Sequence, residues 1–494
     1  MRRKSFKTVT VKILLLTMIF VSGLQAQEIE TIRKITGTVT DNLGNPVEGA
    51  NIAIQGTGKG GVSDFSGNYS INISSQNDVL EFSYIGFQKQ EITVGKRDTI
   101  NVVMDEGEII EPAKPVMLTQ IQREKADADN SFAFKMFNEV SKLEGSNTFF
   151  SPFSLNMAMG MIYNGSSGNT RDELVKSLGI ENFSESDINK YYKKISQSLM
   201  EIDPVTDLVV ANSIWYRNSF TVKAPFIEIS KKYFDADVLA LDFNNSNAAG
   251  MINKWCSDKT RNKFGQIVSN PLPNGLMMYL INALYFKSKW EKGKEFEKSK
   301  TKSDYFTKSN SEKIKVNMME QTTSLSYYAD EHLQCVELPY GNNAFSMIAI
   351  LPSENKDLNK LIEYLGNDKW GNIVNSMQQE RVWLKLPRFR IECNFRLIQP
   401  LMNLGIEQIF KGGFENISDT PFWVSEIRQK TFVEVNEEGT EASALTTVFM
   451  IGYAGLSKPK EPIHFFADRP FLFLIREKST GVILFVGRVD EPHE

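Results

Sequence analysis

The hydrophobic pattern of this 494-residue chain changes near residue 105, and that change limits the folds open to it. Before residue 105, apolar and polar side chains alternate with a period of two, which is the pattern of half-buried β-strands. After it, apolar residues recur first at helical spacing and later in short continuous runs. These patterns, and a length too great for one ordinary core, predict a small all-β domain followed by a larger α+β domain.

The first domain is predicted at residues 34–105, where alternating segments are separated by turn sequences. The turns DNLGNP, GTGKGG and DFSGNY are rich in glycine, asparagine and aspartate, which accept the dihedral angles of tight reversals. Short strands at this spacing favour a small β-sandwich. The alternating positions are Ile35, Gly37, Val39, Ala50, Ile52, Ile54, Tyr69, Ile71, Ile73, Leu80, Phe82 and Tyr84.

The larger domain is predicted at residues 125–494, after a charged, proline-containing linker at 106–124. Asn130 is a candidate N-cap for its first helix. Apolar residues follow this cap at helical spacing, namely Phe134, Phe137 and Val140.

Further helices are predicted at 154–165 and 170–179, the second of them ending at Gly179. The runs CVELPY and FSMIAILP are predicted to be buried strands. This mixture favours an α+β domain with mainly antiparallel sheets.

The first 26 residues have the pattern of a secretory signal peptide. A basic start, MRRK, leads into the apolar run VKILLLTMIFVSG, which is short for a transmembrane helix and is followed by the small residue Ala26. We therefore predict cleavage near Ala26 and a mature protein that is secreted into the extracellular space, periplasmic or surface-associated. An uncut N-terminal membrane anchor is the alternative.

Composition and motifs exclude several classes of function. The formal charge of −4 gives no basic excess for binding nucleic acid or an anionic membrane. Three cysteines, Cys256, Cys335 and Cys393, do not complete a disulfide framework and are predicted to be buried thiols. The sequence has no metal-binding motif, phosphate loop or Gly-x-Ser-x-Gly elbow, so we predict no metal, no cofactor and no enzymatic activity.

Seven separated motifs resemble those of serpins, in the family's order, and cover essentially the whole second domain. They are NTFFSPFSLNMAMGMIYNGSSGNT (147–170), LINALYFKSKW (280–290), VNMMEQ (316–321), CVELPYGNNAFSMIAILP (335–352), LPRFRIE (386–392), FVEVNEEGTEASA (432–444) and FFADRPFLFLIREKSTGVILFVGRV (465–489). The resemblance implies the α+β serpin fold, with three β-sheets, eight or nine helices and an exposed reactive loop.

The first domain, from GTVTDNLGNP onward, resembles the carboxypeptidase regulatory-like domain, a transthyretin-like β-sandwich. That resemblance implies a binding or positioning module without catalytic groups. Docking to a cell-surface partner and service as a passive spacer are the two alternatives for it.

The serpin resemblance implies a monomeric suicide substrate for serine proteases and, in some cases, cysteine proteases. The target's nucleophile attacks the loop and forms an acyl-enzyme, which is trapped when the loop inserts into the main sheet. A non-inhibitory serpin, acting as a binding or carrier protein, is the alternative. Such relatives usually carry bulky, charged or proline residues near the hinge, and GTEASALTT places none on its inward face.

The segment NEEGTEASALTT (436–447) is the predicted hinge of the loop. In an inserted strand its inward side chains would all be small or β-branched: Thr440, Ala442, Ala444, Thr446 and Val448. The hinge residues that the resemblance implies are Glu437, Glu438, Gly439, Thr440, Glu441, Ala442, Ser443 and Ala444. Glycine 439 has no Cβ to restrict the swing. An ordinary flexible surface loop is the alternative.

The apolar run VFMIGYAGL is the predicted protease bait, because an exposed apolar loop can enter a specificity pocket. The family's spacing places the scissile bond at Tyr453–Ala454, which implies chymotrypsin-like or cathepsin G-like targets. Three other bait residues would suit elastase-like, subtilisin-like or papain-like enzymes: Phe449, Met450 and Leu456. A fourth, Lys458, would suit a trypsin-like enzyme.

The resemblance also implies a polar latch beneath the main sheet at Ser151, Ser154 and Asn282. Gln429 stands where the family often has a histidine before KTFVEV, and its amide can still donate and accept hydrogen bonds. Trp290 matches an aromatic residue near the point of loop entry. Helix capping, ordinary buried hydrogen bonds and a core tryptophan are the alternative roles of these residues.

Overall fold

The computed structural model describes residues 32–55, 57, 59–84, 87–88, 90–105, 111–143, 147–353, 356–366, 369–440 and 461–494. The chain divides into two compact units, Met1–Ile109 and Ile110–Glu494. None of the described helices is long and apolar enough to cross a membrane.

The first unit contains β-strands in two sheets, as its alternating pattern predicts. The strands are β1 (Arg33–Asp41), β2 (Asn51–Ile54), β3 (Gly60–Val62), β4 (Asn68–Ile73), β5 (Val79–Ser83), β6 (Gln90–Thr93) and β7 (Val102–Met104). The strand orders are β4-β1-β7 and β3-β2-β5-β6. Inward side chains such as Ile35, Val39, Leu80 and Phe82 are fully buried between them, which confirms the small all-β domain.

Helices dominate the first half of the second unit. The helices in the described residues are α1 (Gln120–Val140), α2 (Pro152–Gly165), α3 (Gly168–Leu178), α4 (Glu185–Glu201), α5 (Ala224–Phe234), α6 (Ala248–Lys259), α7 (Leu358–Leu365), α8 (Trp370–Asn375) and α9 (Ile398–Asn403). Short 3₁₀ turns occur at Lys298–Lys300 and Gln408–Phe410. The predicted helices at 154–165 and 170–179 are confirmed as α2 and α3, and Gly179 ends α3 with a left-handed φ of 64°.

Helix α1 begins earlier than the sequence predicted. Its N-cap is Thr119, whose hydroxyl accepts from the Gln122 N–H while the Gln122 side chain accepts from the Thr119 N–H. This capping box starts the helix inside the stretch predicted as linker. Asn130 is therefore not a cap but a mid-helix residue, and its side chain bonds the backbone of Gly481 and Ile483.

The strands of the second unit form a six-stranded and a nine-stranded sheet. They are β8 (Thr148–Phe150), β9 (Asp207–Arg217), β10 (Ala236–Leu241), β11 (Met278–Lys289), β12 (Lys302–Thr307), β13 (Lys313–Ala329), β14 (Leu333–Pro339), β15 (Phe345–Pro352), β16 (Gln378–Pro387), β17 (Phe389–Arg396), β18 (Arg428–Asn436), β19 (Gly439–Thr440), β20 (Ile463–Phe466), β21 (Phe471–Glu477) and β22 (Ile483–Val489). The predicted buried strands CVELPY and FSMIAILP are β14 and β15.

The nine-stranded sheet has the order β20-β16-β13-β14-β15-β21-β22-β8, with β12 paired to β13 beside this path. The 17-residue strand β13 joins its two halves, because it pairs with β16 over Met318–Tyr327 and with β14 over Ser326–Ala329. Strand β13 thus makes one sheet of the strands on both of its sides, so the described residues of the second unit form two sheets where the resemblance implied three. The expected α+β fold class is confirmed.

The six-stranded sheet has the order β10-β9-β11-β19-β18-β17. Strand β19 is two residues long and lies between β11 and β18, antiparallel to both. These two longer strands have no direct backbone pairing with each other in the part of the chain that the structure describes. The sheet therefore has a position for an additional strand between β11 and β18. Among the described residues, only Gly439 and Thr440 of β19 occupy it.

Candidate functional site

The hinge begins as a strand already seated in the six-stranded sheet. Gly439 pairs with Lys289 and Asn436, and Thr440 pairs with Ser288 and Val435. Just before it, the Trp290 N–H donates to the Glu438 carbonyl at 2.9 Å and the Phe296 N–H to the Glu437 carbonyl at 3.0 Å. Four consecutive hinge residues are thus held by main-chain bonds at the end of β11.

Position 439 requires glycine in this arrangement. Its φ of 146° lies in the region that L-residues rarely adopt. A Cβ there would lie 2.2 Å from the Ser288 carbonyl oxygen and 2.7 Å from the Lys289 Cα. Both neighbours are backbone atoms of a paired strand, so they cannot move aside cheaply. Glycine permits the close approach of β19 to β11.

The Thr440 side chain points into the core. It is 1% exposed, and its hydroxyl lies 2.6 Å from the Tyr340 hydroxyl. The Tyr340 ring stacks on Trp290 at 4.6 Å, and the Trp290 Nε1–H donates to the Asn436 carbonyl at 3.0 Å. Burial raises the pKa of Tyr340 well above its usual range, so this phenol stays neutral. Trp290 is a core residue that also borders the hinge.

Two glutamates at the start of the hinge, Glu437 and Glu438, form a charged clamp. Arg388 donates to Glu437 from Nε to both carboxylate oxygens at 3.0 Å and from Nη2 at 2.6 Å. Thr301 adds a bond to Glu437 at 2.5 Å, and Lys298 pairs with Glu438 at 2.6 Å. Burial alone would raise the pKa of Glu437, but the bonds from Arg388 and Thr301 outweigh it and hold that pKa below its usual value.

The predicted latch residues fall into two separate groups. Gln429 on β18 forms a pair of bonds with the backbone of Ser151, since its Oε1 accepts from the Ser151 N–H and its Nε2 donates to the Ser151 carbonyl, both at 2.8 Å. The Ser151 hydroxyl caps α2 by accepting from the Ser154 N–H at 3.2 Å and donates to the Leu484 carbonyl at 2.8 Å. Gln429 therefore ties β18 to the start of α2.

Asn282 belongs to the second group. Its Nδ2 donates to the Asn212 Oδ1 at 2.5 Å, and Asn212 in turn donates to the Phe234 carbonyl at 2.6 Å. The Oδ1 of Asn282 is buried and has no hydrogen-bond partner among the described residues. Asn282 thus joins β11 to β9 rather than to Gln429.

Several residues of this site were not found from the sequence. They are Lys298, Thr301, Tyr340, Arg388 and Thr431, the last of which donates to the Phe149 carbonyl at 2.5 Å. The only available signal was that Arg388 and Tyr340 lie inside the quoted motifs LPRFRIE and CVELPYGNNAFSMIAILP.

The remaining predicted site residues lie outside the described residues. These are the later hinge positions and the whole bait: Glu441, Ala442, Ser443, Ala444, Phe449, Met450, Tyr453, Ala454, Leu456 and Lys458.

The three cysteines are buried, and burial raises the pKa of the Cys256 and Cys393 thiols to about 12 and about 11. Neutral buried thiols are poor nucleophiles. The described stretches also hold no cluster of three or more His, Cys, Asp or Glu side chains that could bind a metal ion.

Replacing Gln429 by alanine should weaken the second unit. The Ser151 N–H would be left buried without a partner, while the Ser151 carbonyl would keep only its bond from the Leu155 N–H. One such loss costs about 1–3 kcal/mol, so we expect the free energy of unfolding to fall by about that amount. The urea midpoint measures this fall. The exposed Gln399→Ala should change the free energy of unfolding by less than about 0.5 kcal/mol. Equal midpoints for the two variants would contradict the role given to Gln429.

Glu437→Gln should remove stability in a pH-dependent way. Because the folded-state pKa of Glu437 is lowered, its carboxylate stabilises the fold above the unfolded pKa of about 4.3, and this contribution disappears as pH falls through the folded value. We expect the variant to be about 2 kcal/mol less stable at pH 7, with the difference shrinking below about pH 4. Urea unfolding between pH 3 and 7 measures it, with the exposed Glu181→Gln as control. A pH-independent difference would contradict the clamp.

Comparison with known proteins places this geometry in a family. Residues 127–492 match the serpin (serine protease inhibitor) family, and residues 35–111 match the CarboxypepD_reg-like domain. Iripin-1 of Ixodes ricinus is 33% identical over 372 residues, which cover 74% of this chain and 93% of iripin-1. Human serpin B3 is 32% identical over 396 residues, covering 74% of this chain and 99% of serpin B3.

A solved structure agrees with these relatives. The native thermophilic serpin tengpin superimposes with a TM-score of 0.68 at 30% identity, covering 77% of this chain and 97% of tengpin. Serpins are mostly protease inhibitors and not enzymes. The chain belongs to the serpin family, and a carboxypeptidase regulatory-like domain precedes its serpin domain.

Proposed function

We propose that this chain is an exported suicide inhibitor of serine proteases, and of some cysteine proteases, that traps its target by loop insertion. A protease nucleophile attacks the Tyr453 carbonyl, the peptide bond to Ala454 breaks, and the new α-amino group remains on Ala454, at the start of the C-terminal peptide that stays bound through β20, β21 and β22. The acylated loop then inserts between β11 and β18. The observation that carries this proposal is β19, where Gly439 and Thr440 are already paired with both flanking strands.

The register of β19 predicts where later loop residues would go. Each further residue of an antiparallel strand pairs one position further back on both neighbours. Thr440 pairs with Ser288 and Val435, so Thr446 would lie between Asn282 and Gln429. These are two of the predicted latch residues. The Thr446 hydroxyl would then be placed to donate to the Asn282 Oδ1, which has no hydrogen-bond partner in the stretches that the structure describes.

The direction of the Thr440 side chain sets the inward face of such a strand. Residues of the same parity, from Ala442 to Val448, would point into the core and carry no charge. Insertion of about fourteen residues at roughly 0.5–1.5 kcal/mol per hydrogen bond would gain on the order of 10 kcal/mol. A charged side chain buried without a partner would cost several kcal/mol of that gain. Strand addition of this kind is a known behaviour of serpin loops, and it requires kinetic protection of the native state.

Mixing the full chain with chymotrypsin should give a covalent complex that survives boiling in detergent. Mass spectrometry of the released peptide should show that it begins at Ala454, because the acyl bond forms at Tyr453. A different first residue, such as one following Phe449 or Met450, would move the scissile bond but keep the mechanism. Complete cleavage of the loop without any stable complex would refute inhibition by trapping.

Arginine at an inward and at an outward loop position should have opposite outcomes. Thr446→Arg would bury a charge at the level of Asn282 and Gln429; a cost of about 3 kcal/mol slows insertion roughly a hundredfold, so the variant should be cut as a substrate. Thr447→Arg is the matched control, which should still form the complex. The ratio of trapped to cleaved protein on a denaturing gel separates the two. Equal ratios would contradict the proposed register.

A carrier function is the second candidate, and one cavity favours it. A cavity of about 740 Å³ lies between α1, the α7–α8 segment and the end of β21. Its wall includes Trp370, Lys478 and Arg476, and the buried Nε of Arg476 has no hydrogen-bond partner among the described residues. Arg476 already pairs with Glu337 at 2.7 Å, so what this wall would offer a small ligand is the Arg476 Nε–H as a hydrogen-bond donor. Cleavage of the loop without trapping in the chymotrypsin experiment would favour this candidate.

The N-terminal pattern supports export, with a signal peptide at residues 1–26, which lie outside the described residues. We expect the exported protein to begin at Gln27, which N-terminal sequencing of periplasmic, surface and medium fractions would establish. An intact Met1 in the membrane fraction would instead indicate an uncut anchor. Deleting residues 27–110 and repeating the fractionation would distinguish a surface-docking role of the first domain from a spacer.

A further inference from the structure

Three aromatic side chains form a cluster on the outer face of the nine-stranded sheet. Strand β20 runs parallel to β16, with Trp383 opposite His464 and Lys385 opposite Phe466. The alternate residues on these strands are completely buried: Val382, Leu384 and Phe465. Because side chains alternate between the two faces of a strand, Trp383, His464 and Phe466 share the opposite face. We call these three residues the aromatic surface.

The aromatic surface is held in one arrangement by its own contacts. The Trp383 ring meets His464 at 4.9 Å and 88° and Phe466 at 5.0 Å and 83°, and His464 stacks on Phe466 at 5.1 Å. The Trp383 Nε1–H donates to Glu320 at 2.8 Å. A surface whose rotamers are fixed before binding loses little conformational entropy when a partner covers it.

Charged side chains lie beside the aromatic surface and contact its rings. The Lys385 ammonium lies 5.3 Å from the centre of the Phe466 ring and pairs with Asp304 at 2.9 Å. The imidazole of His464 is exposed, whereas Trp383 and Phe466 are half-buried. Protein interfaces are enriched in aromatic residues, with polar groups at their rim. The composition and rigidity of this face fit a protein partner.

The position of the aromatic surface in the chain indicates which protein partner would cover it. Strand β20 begins three residues after Lys460, so the aromatic surface directly follows the bait segment. His464 is six residues from Lys458 and eleven from Tyr453, which limits the distances to about 21 and 38 Å. A protease of about 230 residues has a diameter of about 45 Å by the scaling of compact domains. A protease bound to the bait would therefore be close enough to contact β20 and β16.

We propose that the aromatic surface of Trp383, His464 and Phe466 is a secondary docking site for the target protease, beside its active-site cleft. This inference rests on the proposed inhibitory function, because the bait brings the protease to this face. The surface would raise the rate of productive encounter and help to select among proteases that accept the same bait residue.

Alanine replacement of all three aromatic residues tests this role. We expect the triple variant to react with chymotrypsin at least tenfold more slowly than wild type, while the same final fraction of protein is trapped. Trp423→Ala is the matched control, because Trp423 is 57% exposed and lies in the segment that precedes β18, at the end of β18 away from the hinge. This control should stay within twofold of wild type. Equal rates for wild type and the triple variant would overturn the proposal.

Binding to an inert protease separates this inference from trapping itself. Chymotrypsin with its catalytic serine replaced by alanine forms no acyl-enzyme, so its equilibrium affinity reports docking alone. We expect the triple variant to bind at least tenfold more weakly than wild type and the Trp423→Ala variant to bind equally. If trapping fails but this difference persists, the docking site stands and the proposed function falls. If the triple variant binds the inert protease as wild type does, or if wild type does not bind it, the docking site falls.

A second copy of this chain is the other partner that could cover the aromatic surface, so self-association has to be measured. Sedimentation of wild type and of the triple variant, without protease, should show the same monomer. A wild-type dimer that the triple replacement dissociates would assign the aromatic surface to a second copy of this chain and overturn the proposal. Matching thermal midpoints would establish that the triple variant is folded; a lowered midpoint calls for the single Trp383→Ala, His464→Ala and Phe466→Ala variants, of which at least one must slow the reaction.

Discussion

The backbone pairing of Gly439 and Thr440 with both β11 and β18 is the constraint on which the rest of the site depends. It determines between which strands the hinge lies, in which direction it runs and which side chains face the core. Side chains of a strand alternate with a period of two, so this pair sets the face of any residue that continues it. A shift by one residue would turn Glu441 toward the core and bury a carboxylate.

Two sets of side-chain contacts near this pairing differ in their chemistry. Directly before Gly439, Glu437 and Arg388 form a charged pair that weakens in acid, because the carboxylate must stay ionised to accept two donors. Near the start of β18, Gln429 binds the backbone of Ser151 through an amide, which neither gains nor loses a proton. A histidine at that position could gain a proton, since the unperturbed pKa of histidine is about 6.5. The Glu437 carboxylate therefore makes the hinge contacts sensitive to acid, whereas the link between β18 and α2 through Gln429 contains no group that titrates.

Sequence patterns could predict what depends on local spacing. The period of two in the first unit and the helices α2 and α3 follow from neighbouring residues, whereas the latch position of Gln429 was available only from the family resemblance. The start of α1 was misplaced, since Asn130 looked like a cap while the stronger capping box at Thr119 and Gln122 lay in a proline-containing stretch. The partners of Glu437 and Thr440 could not be predicted, because Arg388 and Tyr340 lie 49 and 100 residues away along the chain.

In the proposed mechanism the two ends of the loop would have different roles. The N-terminal end, at Gly439 and Thr440, would stay attached to the acyl group after cleavage, whereas the C-terminal end, at β20, would be separated from it. Insertion of the loop would carry an acylated protease away from Trp383, His464 and Phe466. Contacts with these residues must then be lost before the protease is trapped. Docking there would accelerate encounter without stabilising the final complex, so its strength is limited by the gain from strand insertion that has to break it.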